Sequence, residues 1–322
     1  MKHLIFATLC ALGLSAPTAA LAQAYPAKPI KAFVPVSAGS TIDNLARIIA
    51  QELRISTGAV LVIENRAGGG ARIAPELASK APADGYTILF CSSSTHSANP
   101  NLYKSLPYDP IKDFAPVLHL ATMPYALVTR TALPYRSIQD LIAQAKASPG
   151  KLSYSYGAPA TQIAGAAFNR IAGIDTLGVP YKSQPPAIAD LLGGQLEYVI
   201  ADLPILVPQV RSGALRALVQ LSDRRSSLLP DTPTMAEAGL PGYDLSVWIG
   251  LVVPTGAPAG VIQFLHQNVS AILVKPEVRA QMSNMGMEHA PNSPAEFDAF
   301  IKQQLGVWSR RVREAGIPLQ SE

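Results

Sequence analysis

Three short turns in this sequence combine small residues with hydroxyl groups, and each comes directly before a predicted helix. They are residues 37–43, 92–97 and 157–161. A helix N-terminus presents unpaired backbone N–H groups and the positive end of the helix dipole, so it can bind an anion without a formal positive charge. In the first turn, Ser37, Ser40 and Thr41 add hydroxyl donors. These residues predict an anion-binding site; the alternative is that they only cap their helices.

The elements that must position these turns alternate between strand and helix along the chain. Residues 30–36 have the pattern of a buried strand, and Leu45, Ile49 and Leu53 then recur at helical spacing. Repetition of this unit predicts two α/β lobes with parallel sheets covered on both faces. In such sheets a ligand lies beyond the carboxyl ends of the strands, which is where the three turns are expected.

Helix starts are predicted at three places where a hydroxyl residue precedes an acid by three positions. Ser137 and Ser293 have this capping-box spacing, and long helices are expected to follow both. Thr234 has the same relation to Glu237, which predicts a short helix there.

Motifs for catalysis, metal binding and cofactor binding are missing from the sequence. It has no G-x-S-x-G, H-E-x-x-H or C-x-x-C, and its histidines lack metal-ligand spacing. Cys91 and His96 would lie at the end of one strand, but no third group is near in sequence to orient them. We therefore predict a binding protein with no cofactor and no metal, in which His96 donates to a ligand or lines the cleft.

Length and composition support a secreted protein with two domains. The chain has 322 residues and a formal net charge of +4, with basic residues scattered along it, which argues against a nucleic-acid partner. Residues 1–22 have the basic start, apolar run and small-x-small ending of a cleaved signal peptide. Cys91 alone remains after cleavage, so no intrachain disulfide is expected, and no later apolar run is long enough to span a bilayer.

Several segments, in order along nearly the whole mature chain, resemble the Bug family of periplasmic receptors for tripartite tricarboxylate transporters. They include "YPAKPIKAFVPVSAGSTIDNLAR", "VIENRAGGG", "ADGYTILF", "VPYKSQPPAIADLLGGQLEY" and "LPDTPTMAEAGLPGYDLSVWIGLVVPTGAP". The resemblance implies a type II periplasmic binding protein fold, with two doubly wound lobes joined by two crossing strands. Lobe 1 would comprise residues 23–122 and 240–322, and lobe 2 residues 123–239. A monomeric periplasmic receptor would then pass a small carboxylate to a two-subunit membrane permease.

The resemblance also implies which residues bind the ligand, and this chain departs from the family pattern at several of them. The first turn usually has Phe-Pro-Pro-Gly-Gly-x-x-Asp, of which only Gly39 and Asp43 are kept. In the second-lobe turn Tyr156 is bulky and the usual His is missing. The usual Asp of a later segment is Ala201, with an acid one position on at Asp202, which could receive a ligand's amino or hydroxyl group or cap a helix. The expected ligand-binding residues are Val36, Ser37, Ala38, Gly39, Ser40, Thr41, Asp43, Ser92, Ser93, Ser94, Thr95, His96, Tyr156, Gly157, Ala158, Thr161 and Asp202.

The identity of the ligand stays open at this stage. Tyr156 could stack on an aromatic dicarboxylate such as terephthalate. Aliphatic di- and tricarboxylates and acidic amino acids are the alternatives. A receptor of this kind could also act as the partner of a membrane sensor kinase instead of a transport component.

Overall fold

The computed structural model describes residues 25–241 and 245–321, so the predicted signal peptide lies outside the described residues. The strands are β1 (Ile30–Val34), β2 (Leu61–Asn65), β3 (Thr87–Ser92), β4 (Phe114–Met123), β5 (Tyr125–Arg130), β6 (Ser153–Tyr156), β7 (Leu177–Pro180), β8 (Tyr198–Asp202), β9 (Leu215–Gln220) and β10 (Val247–Pro254). The α-helices are α1 (Thr41–Thr57), α2 (Ile73–Ser79), α3 (Asn99–Leu102), α4 (Ile138–Ala147), α5 (Pro159–Ala172), α6 (Gln184–Leu192), α7 (Leu203–Arg211), α8 (Ala259–Leu273), α9 (Pro276–Asn284) and α10 (Pro294–Ala315).

Two five-stranded sheets organise the described residues. The first has the order β2-β1-β3-β10-β4, and the second has the order β7-β6-β8-β5-β9. We call the elements around the first sheet lobe 1 (β1–β4, β10, α1–α3 and α8–α10). Those around the second sheet are lobe 2 (β5–β9 and α4–α7). The two-lobed α/β architecture predicted from the sequence is confirmed.

The prediction that the sheets are parallel is wrong, because both are mixed. In lobe 1, β1 pairs in parallel with β2 and β3, but β10 is antiparallel to β3 and β4. In lobe 2, β6 is parallel to β7 and β8, whereas β5 is antiparallel to β8 and β9. The antiparallel strands β5 and β10 are the first strands after the chain crosses into lobe 2 and after it returns to lobe 1. Only Pro124 separates β4 from β5, so β5 enters its sheet from the other lobe rather than through a covering helix.

Local sequence signals account for most helix boundaries. Helix α1 buries Leu45, Ile49 and Leu53 on one face and ends at Gly58, whose left-handed conformation suits glycine. Capping boxes at Ser137 and Ser293 begin α4 and α10, as predicted. The short helix predicted after Thr234 is wrong.

The segment after Thr234 makes the bonds of a capping box but only turns follow. The Glu237 amide donates to the Thr234 hydroxyl, and the Thr234 amide donates to the Glu237 carboxylate. Gly239 then adopts a positive φ of 80°, which ends the turn before a helix can form.

The long C-terminal helix α10 links the two lobes. It packs against β4 and α3 of lobe 1 and against α5 of lobe 2. Trp308, which is fully buried, belongs to a core cluster that also contains Phe168 and Tyr198 of lobe 2. No helix in the described ranges is long and apolar enough to cross a membrane.

Candidate functional site

A cavity of about 40 Å³ lies between the lobes, where β1, β3 and β8 end and α1 begins. This volume would hold about three water molecules. Eight of the predicted site residues line it: Val36, Ser40, Ser92, Ser93, Ser94, Gly157, Ala158 and Asp202. The other lining residues are Pro35, Ile42, Ala71, Met123, Tyr125, Gln184, Val247, Trp248 and Ile249. The structure therefore brings together residues from all three predicted turns.

The N-terminus of α1 contributes hydrogen-bond donors to this cavity. Ser40 is the N-cap residue and only 6% exposed, and within the described part of the chain its side chain makes no capping hydrogen bond. The hydroxyls of Ser40 and Thr41 have no hydrogen-bond partner of ordinary geometry among the described residues. Buried hydroxyls are normally paired. Thr41 does not line the cavity and lies close enough to Asp202 to lower the pKa of its carboxyl, so the Ser40 hydroxyl is the donor left for another molecule.

Asp43 orders this turn and does not line the cavity. Its carboxylate accepts hydrogen bonds from the Gly39 amide at 2.9 Å, from Arg47 Nε at 2.9 Å and from Asn65 Nδ2 at 2.9 Å. Burial by itself raises the pKa of this carboxyl, but the hydrogen bonds from Arg47, Gly39 and Asn65 outweigh it and lower the pKa. Gly39 has a φ of 78°, which a glycine adopts without strain. Ser37, Ala38 and Gly39 lie in the same turn, outside the cavity lining.

In the second turn, residues 92–97, three serines (Ser92, Ser93 and Ser94) line the cavity, whereas His96 is buried away from it. The Thr95 hydroxyl accepts from the Ser92 amide at 2.9 Å and donates to the Ser92 carbonyl at 3.1 Å. His96 is 0% exposed and packs against Phe114 and Trp248. Burial lowers the pKa of His96 to about 3, so this ring is neutral at ordinary pH. His96 is not among the cavity-lining residues.

Cys91, which precedes this turn, is also fully buried. Burial raises the pKa of its thiol well above the usual value, so the thiol stays protonated. A buried, protonated thiol and a neutral imidazole do not form an activated nucleophile.

The third turn begins α5 in lobe 2 and approaches lobe 1. Thr161 Oγ1 accepts from the amides of Gly157 and Ala158, each at 3.1 Å, and donates to the Ala158 carbonyl at 2.8 Å. Thr161 therefore stabilises the turn whose backbone lines the cavity. The Ala160 amide donates to Ser94 Oγ at 3.3 Å, which joins the two lobes directly.

Tyr156 lies in a neighbouring pocket instead of the cavity. This pocket has a volume of about 330 Å³ and shares Ala71, Gly157 and Ala158 with the cavity. Its remaining lining residues are Gly68, Gly69, Gly70, Tyr103, Tyr156, Pro159, Gln162, Pro180, Tyr181, Lys182 and Gln320.

Asp202 ends β8 and brings a carboxyl group to the cavity. It occupies the N-cap position of α7, but among the described residues its side chain makes no capping bond. Its Oδ1 accepts from Gln184 Nε2 at 3.2 Å, and its amide donates to Gln184 Oε1 at 3.1 Å. The residue keeps some exposed surface, yet burial of the carboxyl raises its pKa to about 6 against the lowering effects of Thr41 and Gln184. Because the Asp202 side chain makes no capping bond to α7 among the described residues, the prediction that it caps this helix is wrong.

Sequence analysis missed several residues of the cavity, among them Tyr125, Gln184 and Trp248. Tyr125 and Trp248 come from strands at the two crossings between lobes, and their apolar pattern is that of ordinary core strands. Gln184 follows Ser183 at the start of α6, and Ser183 Oγ donates to Ser37 Oγ across the lobes at 2.9 Å. That serine before a helix is the same signal as in the three recognised turns.

Two mixed α/β lobes, crossed twice by the chain and enclosing a cavity beyond their strand ends, define a solute-binding protein of the type II periplasmic binding fold. Residues 45–317 match the tripartite tricarboxylate transporter family receptor. The chain belongs to this family, whose receptors are periplasmic binding proteins and not enzymes.

Individual relatives agree with this assignment. The chain is 36% identical over 319 residues to protein BugT of Bordetella pertussis, with 96% of this chain and 95% of that protein covered. The structure of R. palustris Rpa4515 with adipate is 32% identical with a TM-score of 0.88, covering 91% of this chain and 98% of that one. MatC (Rpa3494) from Rhodopseudomonas palustris with bound malate is 29% identical with a TM-score of 0.85, covering 89% of this chain and all (100%) of that one.

Proposed function

We propose that this protein captures a small carboxylate between its lobes in the periplasm and delivers it to the two-subunit permease of a tripartite tricarboxylate transporter. The observation that carries this proposal is the start of α1, where the buried Ser40 hydroxyl lines the cavity without a partner among the described residues. That donor lies at the positive end of a 17-residue helix, which favours an anion. The relatives with adipate and malate support a carboxylic acid as the anion.

Export would precede this function, with residues 1–22 removed as a signal peptide. The two lobes would comprise residues 23–122 with 240–322, and residues 123–239, and the receptor would act as a monomer. Ser37 with Ser183, and Ser94 with Ala160, make hydrogen bonds between lobes 1 and 2. A ligand must enter before these contacts form, so we propose that they help to stabilise the closed receptor.

The size of the cavity ranks the candidate ligands. A cavity of about 150 Å³ holds a benzene ring, whereas this one measures about 40 Å³. A compact aliphatic acid therefore fits with less separation of the lobes than terephthalate does. An aromatic dicarboxylate is the second candidate, because Tyr125 and Trp248 supply aromatic surface inside the cavity.

Thermal unfolding of refolded, ligand-free mature protein tests this proposal. The panel contains aliphatic mono-, di- and tricarboxylates, amino acids, and aromatic mono- and diacids. An acid at 100 times its Kd stabilises the folded state by about 2.7 kcal/mol. We expect stabilisation by a compact acid; a response confined to aromatic diacids would favour the second candidate, and no response to any acid would refute the proposal.

Uptake assays then address delivery. We expect a strain that lacks the receptor to lose uptake of the identified acid. Normal uptake with a lost transcriptional response to that acid would instead indicate a partner of a sensor kinase.

A further inference from the structure

The cavity contains an acid but no basic residue. Asp202 lines it, and none of the described lining residues is Lys, Arg or His. Asp202 also forms no ion pair with any residue in the described ranges. A carboxylate enclosed by protein without a cation is costly, so a ligand that supplies a positive charge would be favoured.

The neighbours of Asp202 hold its carboxyl in place without neutralising it. Gln184 bonds one carboxyl oxygen and the backbone amide, which fixes the orientation of the side chain. Tyr125 faces it from β5, in register with Asp202, and burial raises the pKa of this phenol well above 10. On α1, the charged Asp43 is already paired with Arg47. The charge of Asp202 is thus left to the ligand.

The anion site and this acid lie next to one another. Ser40 and Asp202 both line the same small cavity, and Thr41, the next residue after Ser40, is close enough to lower the pKa of Asp202. A ligand that satisfies both sites must carry a carboxylate and a positive charge a short distance apart. An α-amino acid has both groups on one carbon.

We infer that this receptor binds an amino acid, with the ligand carboxylate at the N-terminus of α1 and the ligand ammonium group against the carboxylate of Asp202. This inference rests on the proposed function and narrows its ligand class. A dicarboxylate without an amino group would instead bring negative charge towards Asp202, which is unfavourable in an enclosed site. A hydroxyl in place of the ammonium group donates a hydrogen bond but leaves the charge uncompensated.

Matched ligands test the inference on the refolded protein without any mutation. The twenty standard amino acids are first screened by thermal unfolding. Calorimetry then compares two series that differ in one substituent, namely succinate, malate and aspartate, and propionate, lactate and alanine. The same comparison is made for each amino acid that stabilises the protein, against its hydroxy and unsubstituted counterparts. We expect the amino form to bind at least about 30-fold more tightly than the unsubstituted form, the effect of about 2 kcal/mol typical of a buried charge pair.

Asp202→Asn keeps the size of the side chain and removes its charge. We expect this variant to lose at least about 30-fold in affinity for the amino acid and to bind unsubstituted acids as well as before or better. Asp231→Asn is the control, because Asp231 is an exposed acid of lobe 2 outside the cavity. We expect it to bind like the unmodified protein.

The pH dependence of affinity gives a result that a merely structural role for Asp202 would not produce. An ammonium ligand needs the ionised carboxylate, so its affinity should fall as pH is lowered from 7.5 to 5.5, since Asp202 titrates near 6. Affinity for an unsubstituted acid should rise over the same range.

The outcomes separate this inference from the proposed function. Equal affinities for amino and unsubstituted acids, or tight binding of unsubstituted acids with no response to any amino acid, would overturn the inference and leave the carboxylate receptor standing. No response to any acid would overturn both.

Discussion

Gly157 touches the start of α6 so closely that a single added methyl group should disturb the site. A Cβ at this position would lie 2.4 Å from the carbonyl carbon of Ser183 and 2.7 Å from the Gln184 amide nitrogen. Ordinary contacts between such atoms are about 3.5–4.0 Å. The obstructing atoms are backbone, so Gly157→Ala must move the start of α6 or the turn itself by about 1 Å.

That movement acts on stability and on the ligand site together. The Gln184 bonds to Asp202 measure 3.2 and 3.1 Å, so a shift of about 1 Å takes them beyond hydrogen-bond range. Forcing a methyl group into a packed site costs about 1–3 kcal/mol. We expect Gly157→Ala to lower the free energy of unfolding by this amount in urea titration. Its affinity for the ligand found in the thermal screen should fall at least about tenfold, a loss of about 1.4 kcal/mol.

Gly306→Ala is the matched control. Gly306 is exposed inside α10, and a Cβ there meets no atom within 4 Å. Because alanine favours a helix over glycine, this variant should be more stable by about 0.5–1 kcal/mol, with unchanged affinity. If Gly157→Ala matched the unmodified protein in both stability and affinity, the tight contact with Ser183 and its link to Asp202 would be refuted.

Three further predictions concern the donor at the start of α1, the buried acid of the cavity and a tight contact in the core of lobe 1. Ser40→Ala should leave the ligand-free stability within about 0.5 kcal/mol, since its hydroxyl lacks a partner in the described structure, but weaken ligand binding about tenfold by calorimetry. Burial raises the pKa of Asp202 from 3.8 to about 6, so the folded state holds a proton that the unfolded state releases between these values. Stability from this group should thus fall by about 3 kcal/mol as pH rises through that window, at about 1.4 kcal/mol per pKa unit. The fall should be missing in the urea midpoints of Asp202→Asn, and equal pH slopes for the two proteins would contradict the prediction. Gly250→Ala would place a Cβ 2.1 Å from Cζ of the fully buried Phe297, so its urea midpoint should show a loss of about 1–3 kcal/mol, and an unchanged midpoint would show that the ring can move.

The candidate site was predictable where a local pattern specified it. The serine and glycine residues in segment 37–43 predicted a helix start with free hydrogen-bond donors. Ser40 indeed lines the cavity, and its hydroxyl is unpaired in the described structure. Asp43 and Thr161 come from the same patterns, but their side chains accept hydrogen bonds from the backbone of their own turns and do not line the cavity. Sequence alone does not distinguish these roles, because they depend on which side of the turn faces the other lobe.

The aromatic and charged parts of the site depended on contacts between distant segments. Tyr156 ends β6 and lies in the neighbouring pocket, whereas Tyr125 and Trp248 line the cavity because their strands cross between the lobes. The sequence likewise left two roles open for Asp202. Its bonds to Gln184, 18 positions away, place its carboxyl at the cavity and not on α7.

The sequence by itself determined the succession of strands and helices, since capping boxes, left-handed glycines and apolar periodicity act within a few residues. It also determined that hydroxyl donors precede helices at several strand ends. Only the tertiary structure decided that both sheets are mixed and which donors face the cavity. It also decided that Asp202 meets the ligand space without a cation among the described lining residues. Strand direction, burial and charge compensation arise when segments far apart in the chain pack together, so no local pattern encodes them.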